Sequence, residues 1–155
     1  MEKLDITRES AFDAFKAADS NGKQLLSNLF PGTFGDVRSR IKIFSDILRE
    51  NNLSQDEYDQ RIKNLPIDEV GYIDCKLIVS AYNQGEKPDF NNEKQRKYAP
   101  LFQMGSPSGA GFSYYDYDLW VTLSGVGSRL TYLDYDNMKD AVSKFLPHYQ
   151  KYLNS

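Results

Sequence analysis

Apolar positions follow a helical period over residues 1–85, switch to strand-like alternation over 99–133, and return to a helical period over 134–153. Helices first and sheet later predict an α+β fold, in which N-terminal helices and a C-terminal helix pack on a small antiparallel sheet. A single domain over 1–155 is expected, with a helical part at about 1–85, a sheet part at about 99–133 and a closing helix at about 136–153.

Thr7 has the chemistry of an N-cap, and Ala11, Phe12, Ala14, Phe15 and Ala18 then form one stripe that Asn21-Gly22 is expected to stop. Leu25, Leu26 and Leu29 predict a short second helix ended by Pro31-Gly32. Val37, Ile41, Phe44, Ile47 and Leu48 predict a third, continuous helix from about Asp36 to Asn51. Ser54-Gln55-Asp56-Glu57 has the spacing of a capping box and predicts a short helix to about Ile62. Pro66 and Asp68 open another, with Val70, Ile73, Leu77, Ile78, Ala81 and Tyr82 on one side, Cys75 within it and Gly85 as its left-handed end. Glu86 to Asn92 is polar, contains Pro88, and reads as the crossing to the sheet.

From Gly111 the alternation of Phe112, Tyr114, Tyr117, Leu119, Val121 and Leu123, followed by Val126 and Arg129 to Tyr132, predicts two or three antiparallel strands with turns at Asp116 and Ser124-Gly125. In the closing helix Asp136 is the expected N-cap, Met138, Ala141, Val142, Phe145 and Leu146 face inward, and Pro147 should kink or restart the helix.

Composition then narrows the function. A net charge of −3 gives no footprint for duplex nucleic acid, which wants a basic surface to replace counterions. No apolar run reaches the length of a membrane span, and Met1-Glu2-Lys3-Leu4-Asp5 leads into no signal-type apolar region, so a soluble chain without a secretion signal is expected. One cysteine and one histidine, Cys75 and His148, cannot assemble a zinc site. Gly22-Lys23 lacks the rest of a phosphate-loop motif, and His148 has no nucleophile elbow to serve. The glycine-rich run Gly105 to Gly111 precedes a strand and reads as a surface loop. Asp116/Asp118 and Asp134/Asp136 are close carboxylate pairs suited to a hard cation or to acid–base work, although turns and caps call for aspartate at the same places. No catalytic residue, metal or cofactor is assigned.

One stretch stands out. Residues 101–135 contain no lysine and hold Phe102, Phe112, Tyr114, Tyr115, Tyr117, Trp120, Tyr132 and Tyr135 among Ser, Gly and Asp. Tyrosine and tryptophan supply contact area with few rotors to freeze, while Ser and Gly permit close approach. Alternation assigns Phe112, Tyr114, Leu119, Val121 and Leu123 to the inner face, leaving Tyr115, Tyr117 and Trp120 as exposed partner-binding candidates. Arg129 is expected to tie the sheet to a carboxylate or carbonyl.

The segments IKIFSDILRENN, AYNQGEKPDFNNEKQRKYAPLFQMG and VGSRLTYLDYDNMKDAVSKF resemble a group of short uncharacterised proteins encoded by phages and prophages of gut bacteria, over nearly the whole chain. In that group the stretch framed by segments like Lys97 to Phe102 and Val126 to Leu130 varies between members; this chain departs from it at Ala99, Leu101 and Thr131-Tyr132. Gly127-Ser128-Arg129-Leu130 is similar to the closing strand of C-type-lectin-like variable proteins. The resemblance implies a phage accessory or virion protein, acting in the host cytoplasm or in the particle. The expected role is a non-enzymatic binding module for a protein or small ligand, with homo-oligomer or virion assembly as further modes. An enzyme or metal-binding protein using the aspartate pairs, and single-strand nucleic-acid binding by stacked tyrosines, are the alternatives.

Overall fold

The computed structural model describes residues 6–105, 111–122 and 128–153. It is α+β, and the chain divides into two compact units, Met1–Arg40 and Ile41–Ser155.

The first unit contains α1 (Arg8–Ala17), α2 (Ser20–Leu29) and α3 (Val37–Arg40). Thr7 caps α1 as its chemistry predicts, its Oγ1 accepting from Ser10 N at 3.2 Å. Asn21-Gly22 does not stop that helix. Asp19 accepts from Gly22 N at 2.8 Å and so starts α2 two residues after α1 ends, leaving Asn21-Gly22 inside the first turn of the new helix. Phe34 is the hub of this unit: it stacks on Phe15 at 4.3 Å and meets Phe12 and Phe30 edge-on at 5.3 and 6.2 Å. The turn that carries Phe34 back needs Gly32 at φ +75°, a conformation costly for any residue with a Cβ.

The second unit contains α4 (Phe44–Glu50), α5 (Gln55–Ile62), α6 (Ile67–Tyr82), β1 (Lys97–Gln103), β2 (Ser113–Trp120), a 3-10 turn at Ser128–Leu130 and α7 (Tyr135–Leu153). The expected continuous helix over 36–51 is therefore two helices. Asp46 Oδ2 accepts from Lys42 N at 2.9 Å and Ile43 N at 3.1 Å, satisfying amides that an unbroken helix would have used internally and so founding a new N-terminus. The capping box holds: Ser54 Oγ accepts from Glu57 N at 3.3 Å while Ser54 N donates to Glu57 Oε2 at 2.9 Å. Gly85, at φ +79°, ends the α6 region as expected, its N–H donating to Ser80 O at 2.9 Å.

The core is built where α6 meets α7, with Ile78, Val79 and Ala81 buried on one helix and Met138, Ala141, Val142 and Phe145 on the other. At Gly71 the two helices come so close that a Cβ there would lie 2.3 Å from Tyr152 N. Asp134, not Asp136, caps α7, accepting from Asn137 N at 2.8 Å, so the cap lies two residues earlier than expected. Pro147 bends α7, with Phe145 out of helical geometry at φ −119° and ψ 22°. Lys144 Nζ bridges Asp140 Oδ2 at 2.6 Å and Ile41 O at 2.9 Å, while Tyr82 donates to the same carboxylate oxygen at 2.7 Å.

The sheet is a two-stranded antiparallel ribbon carried on α7. It begins at Lys97, and Asp116 lies within β2 instead of at a turn. The third strand expected at 129–132 is reduced to the 3-10 turn and one bridge, in which Tyr98 and Tyr132 exchange N–H···O bonds of 2.8 Å. Leu123, Ser124-Gly125 and Val126 lie outside the described residues. Lys97, opposite Trp120, is fully buried: its Nζ donates to Gln95 O at 2.7 Å, Val121 O at 2.8 Å and Asn92 O at 3.4 Å.

Candidate functional site

The ribbon's faces follow from its register. Residues directly opposite in an antiparallel pair share a face, and the ladder runs evenly from Lys97↔Trp120 to Leu101↔Asp116. It then skips, so that Phe102 opposes Tyr114, and Tyr115 is the extra residue of a β-bulge. The bulge breaks the alternation read from the sequence. It puts Tyr114 and Tyr117, an odd number of residues apart, on the same face as Tyr98 and Phe102, turned toward α7.

Of the three binding candidates, Tyr115 is 71% exposed, whereas Tyr117 and Trp120 are half-buried. Tyr117 packs at 4.8 Å on Tyr135 of α7 and at 5.7 Å on Tyr98, while Trp120 lies on the Lys97 face. Leu119, expected inside, is 48% exposed, because the aromatic rings of Tyr98, Tyr117 and Tyr135 already cover this side of α7. Phe112 and Tyr114 are half-buried as partners of Phe102, at 5.1 and 6.4 Å, and Phe102 in turn reaches Tyr149 at 5.0 Å. Leu101 and Met104 add further exposed apolar surface to β1 and its end. The outer edge of β2 has no partner strand among the described residues.

Against protein-family models, curated proteins and solved structures, the chain finds no match.

The aspartate pairs separate in role. Asp116 and Asp118 are exposed on β2, with Asp116 accepting from Tyr117 N at 2.9 Å, whereas Asp134 is spent on capping α7. No group of three or more His, Cys, Asp or Glu side chains among the described residues is placed to hold a metal ion. Arg129 sits exposed on the 3-10 turn and makes no hydrogen bond or ion pair among the described residues, so the expected tie to the sheet is not made there.

The structure also assembles a buried polar cluster that periodicity did not reveal. Asp74, fully buried in α6, accepts from Tyr58 OH at 2.5 Å through Oδ1, and its Oδ2 lies 2.7 Å from His148 Nδ1 and 3.4 Å from Lys151 Nζ. The His148 ring stacks on Phe44 at 4.4 Å. Burial, the hydrogen bond to Asp74 and the carboxylate's charge all push the Tyr58 hydroxyl's pKa upward. Burial and the Asp74 charge push the neighbouring Cys75 thiol up to about 12, and its Sγ is directed at His148 O at 3.8 Å, not at the imidazole. Through Asp74 the Tyr58 hydroxyl and the His148 imidazole join α5, α6 and α7 as a cross-brace. The one sequence signal for it is an acid among the apolar positions of α6, since a buried carboxylate must be paired.

Proposed function

We propose that this protein is a non-enzymatic binding module, of the phage accessory or virion kind that its sequence resembles, and that the β1–β2 ribbon is its contact surface for a protein partner. The observation that carries the reading is Tyr115: the bulge lifts a large aromatic side chain out of the alternation and leaves it 71% exposed while its neighbours pack on α7. Leu101 and Met104, each more than a third exposed, add apolar surface on β1 and its end, and Leu119 adds it from the opposite face of β2. Interfaces draw most of their affinity from a few such anchors held on a rigid support, and Tyr114 and Tyr117 provide that support from beneath. The β2 edge, unpaired among the described residues, also offers main-chain donors and acceptors to an extended segment of the partner. Host cytoplasm or phage particle is the proposed location.

The test is quantitative affinity capture from infected cells with the wild-type protein and a Tyr115→Ser/Leu119→Ser variant whose circular dichroism and melting are unchanged. A partner retained by the wild type and lost by the variant is expected. Equal retention, or none by either, would overturn the reading. Mass spectrometry of purified particles then separates a virion role, with fixed copy number, from an intracellular one.

A further inference from the structure

We propose that a cleft between the C-terminal half of α6 and the segment 85–90 binds a small organic phosphate carrying a flat ring, of nucleoside monophosphate size. The cleft encloses about 440 Å³, within the range of small-molecule sites. Three cationic side chains, Lys76, Lys87 and Arg129, line it against one acid, Glu86, in a chain whose net charge is −3.

The disposition of these groups points to an anion. Lys87 and Arg129 are exposed, and neither makes a hydrogen bond or ion pair among the described residues, so their donors are available. A guanidinium's parallel N–H groups match a phosphate in two-point fashion, and Lys87 adds a second charge; Lys76 lines the cleft with its Nζ 4.6 Å over the Tyr72 ring. Glu86 is turned to Gln95, whose Nε2 lies 3.4 Å from its Oε1. The end of α6 would ordinarily oppose an anion through its last carbonyls. Here those of Val79, Ser80 and Ala81 accept from Asn83, Gly85 and Gln84 N–H groups at 2.9, 2.9 and 3.1 Å.

The remaining wall is apolar. Val79, Pro88 and the half-buried ring of Phe90 line it, and Lys97 Nζ stands 5.2 Å from the Phe90 centroid, fixing the ring at the cleft. A ring fixed in this way is a stacking platform for a base, sequence-tolerant because every base has a π-face. Asn83 donates to Thr131 O at 2.9 Å and accepts from Leu133 N at 3.0 Å, so it braces the floor instead of reading the ligand. Ring recognition by Phe90 and charge recognition by Lys87 and Arg129 therefore act on two ends of one molecule.

The experiment is an amide-shift NMR titration of the full chain with adenosine monophosphate, adenosine and inorganic phosphate as separate probes. Saturable shifts confined to 76–90 and the 129 region are expected with adenosine monophosphate; adenosine, lacking the charge-assisted contacts, and inorganic phosphate, lacking the stacked ring, should each bind at least about tenfold more weakly. Arg129→Ala, and independently Lys87→Glu, should weaken the nucleotide about tenfold or more while leaving the rest of the spectrum in place. Absence of saturation, phosphate binding as well as the nucleotide, adenosine binding as well as the nucleotide, or unchanged affinity in both variants would each overturn the proposal.

Discussion

Replacing Gly71 by alanine should destabilise the protein, although alanine is the better helix former by about 1 kcal/mol. The Cβ would lie 2.3 Å from Tyr152 N, 2.7 Å from Lys151 C and 2.8 Å from Tyr152 Cα, and all three obstacles are backbone, so no side chain can swing away. Ordinary contact begins near 3.4 Å, and α7 must retreat by about 1 Å. Overpacking of this kind costs about 1–3 kcal/mol. Retreat also stretches the 2.7 Å contact of His148 Nδ1 with Asp74, one turn along the same pair of helices, beyond hydrogen-bonding range, at a further cost of about 1.5–3 kcal/mol. Net of propensity, Gly71→Ala should lose about 1.5–5 kcal/mol. Urea unfolding followed by circular dichroism should show a lower midpoint at unchanged slope, while Gly105→Ala, where a Cβ would meet nothing within 4 Å, should leave the midpoint in place. A Gly71→Ala protein as stable as wild type would mean that α7 yields without cost and that the Asp74 brace does not depend on this approach.

Two further outcomes follow from perturbed groups. Cys75, buried and with its thiol pushed up to about 12, should react with a disulfide reagent at pH 8 at least about a hundredfold more slowly in the folded protein than in guanidinium, and comparable rates would contradict the burial. The Asp36 carboxyl is held at about 2, below its ordinary 3.8, chiefly by side-chain hydrogen bonds from Arg38 and then by the Arg38 N–H at 2.9 Å. Because the folded value is depressed, this contribution is complete above the ordinary value and is lost as pH falls through about 2; carbonyl-carbon NMR should read that midpoint, and Arg38→Ala should move it upward. An unmoved midpoint would dismiss the Arg38 contacts as its cause.

Local chemistry made much of the fold readable. Thr7, the Ser54–Glu57 box, Gly85 and Pro147 act within a few residues of themselves, and each does in three dimensions what its type and spacing imply. The misreadings share a different cause. Asn21-Gly22 resembles a stop until Asp19 claims the Gly22 amide, and the 36–51 stripe resembles one helix until Asp46 claims two amides ahead of it. In both, a short acidic side chain diverts main-chain donors without disturbing apolar periodicity. The bulge at Tyr115 is invisible for a related reason: alternation presumes one residue opposite one residue, and nothing in Tyr114-Tyr115-Asp116 announces two opposite one. The Asp74 cluster draws its partners from 16 and 74 positions away along the chain, a separation no local pattern encodes.

The buried Lys97 pins the root of a ribbon whose rings also rest on α7 along its length. Its fixed end is one side chain clamped by three main-chain oxygens, those of Asn92, Gln95 and Val121. Main-chain oxygens are supplied by any residue, so the clamp asks nothing of its neighbours' identities beyond their path. Past that root the strands run to Gln103 and Ser113, where Phe102 rests 5.0 Å from Tyr149 of α7. A substitution at Asn92, Gln95 or Val121 that keeps the main-chain path therefore leaves the root of the ribbon anchored.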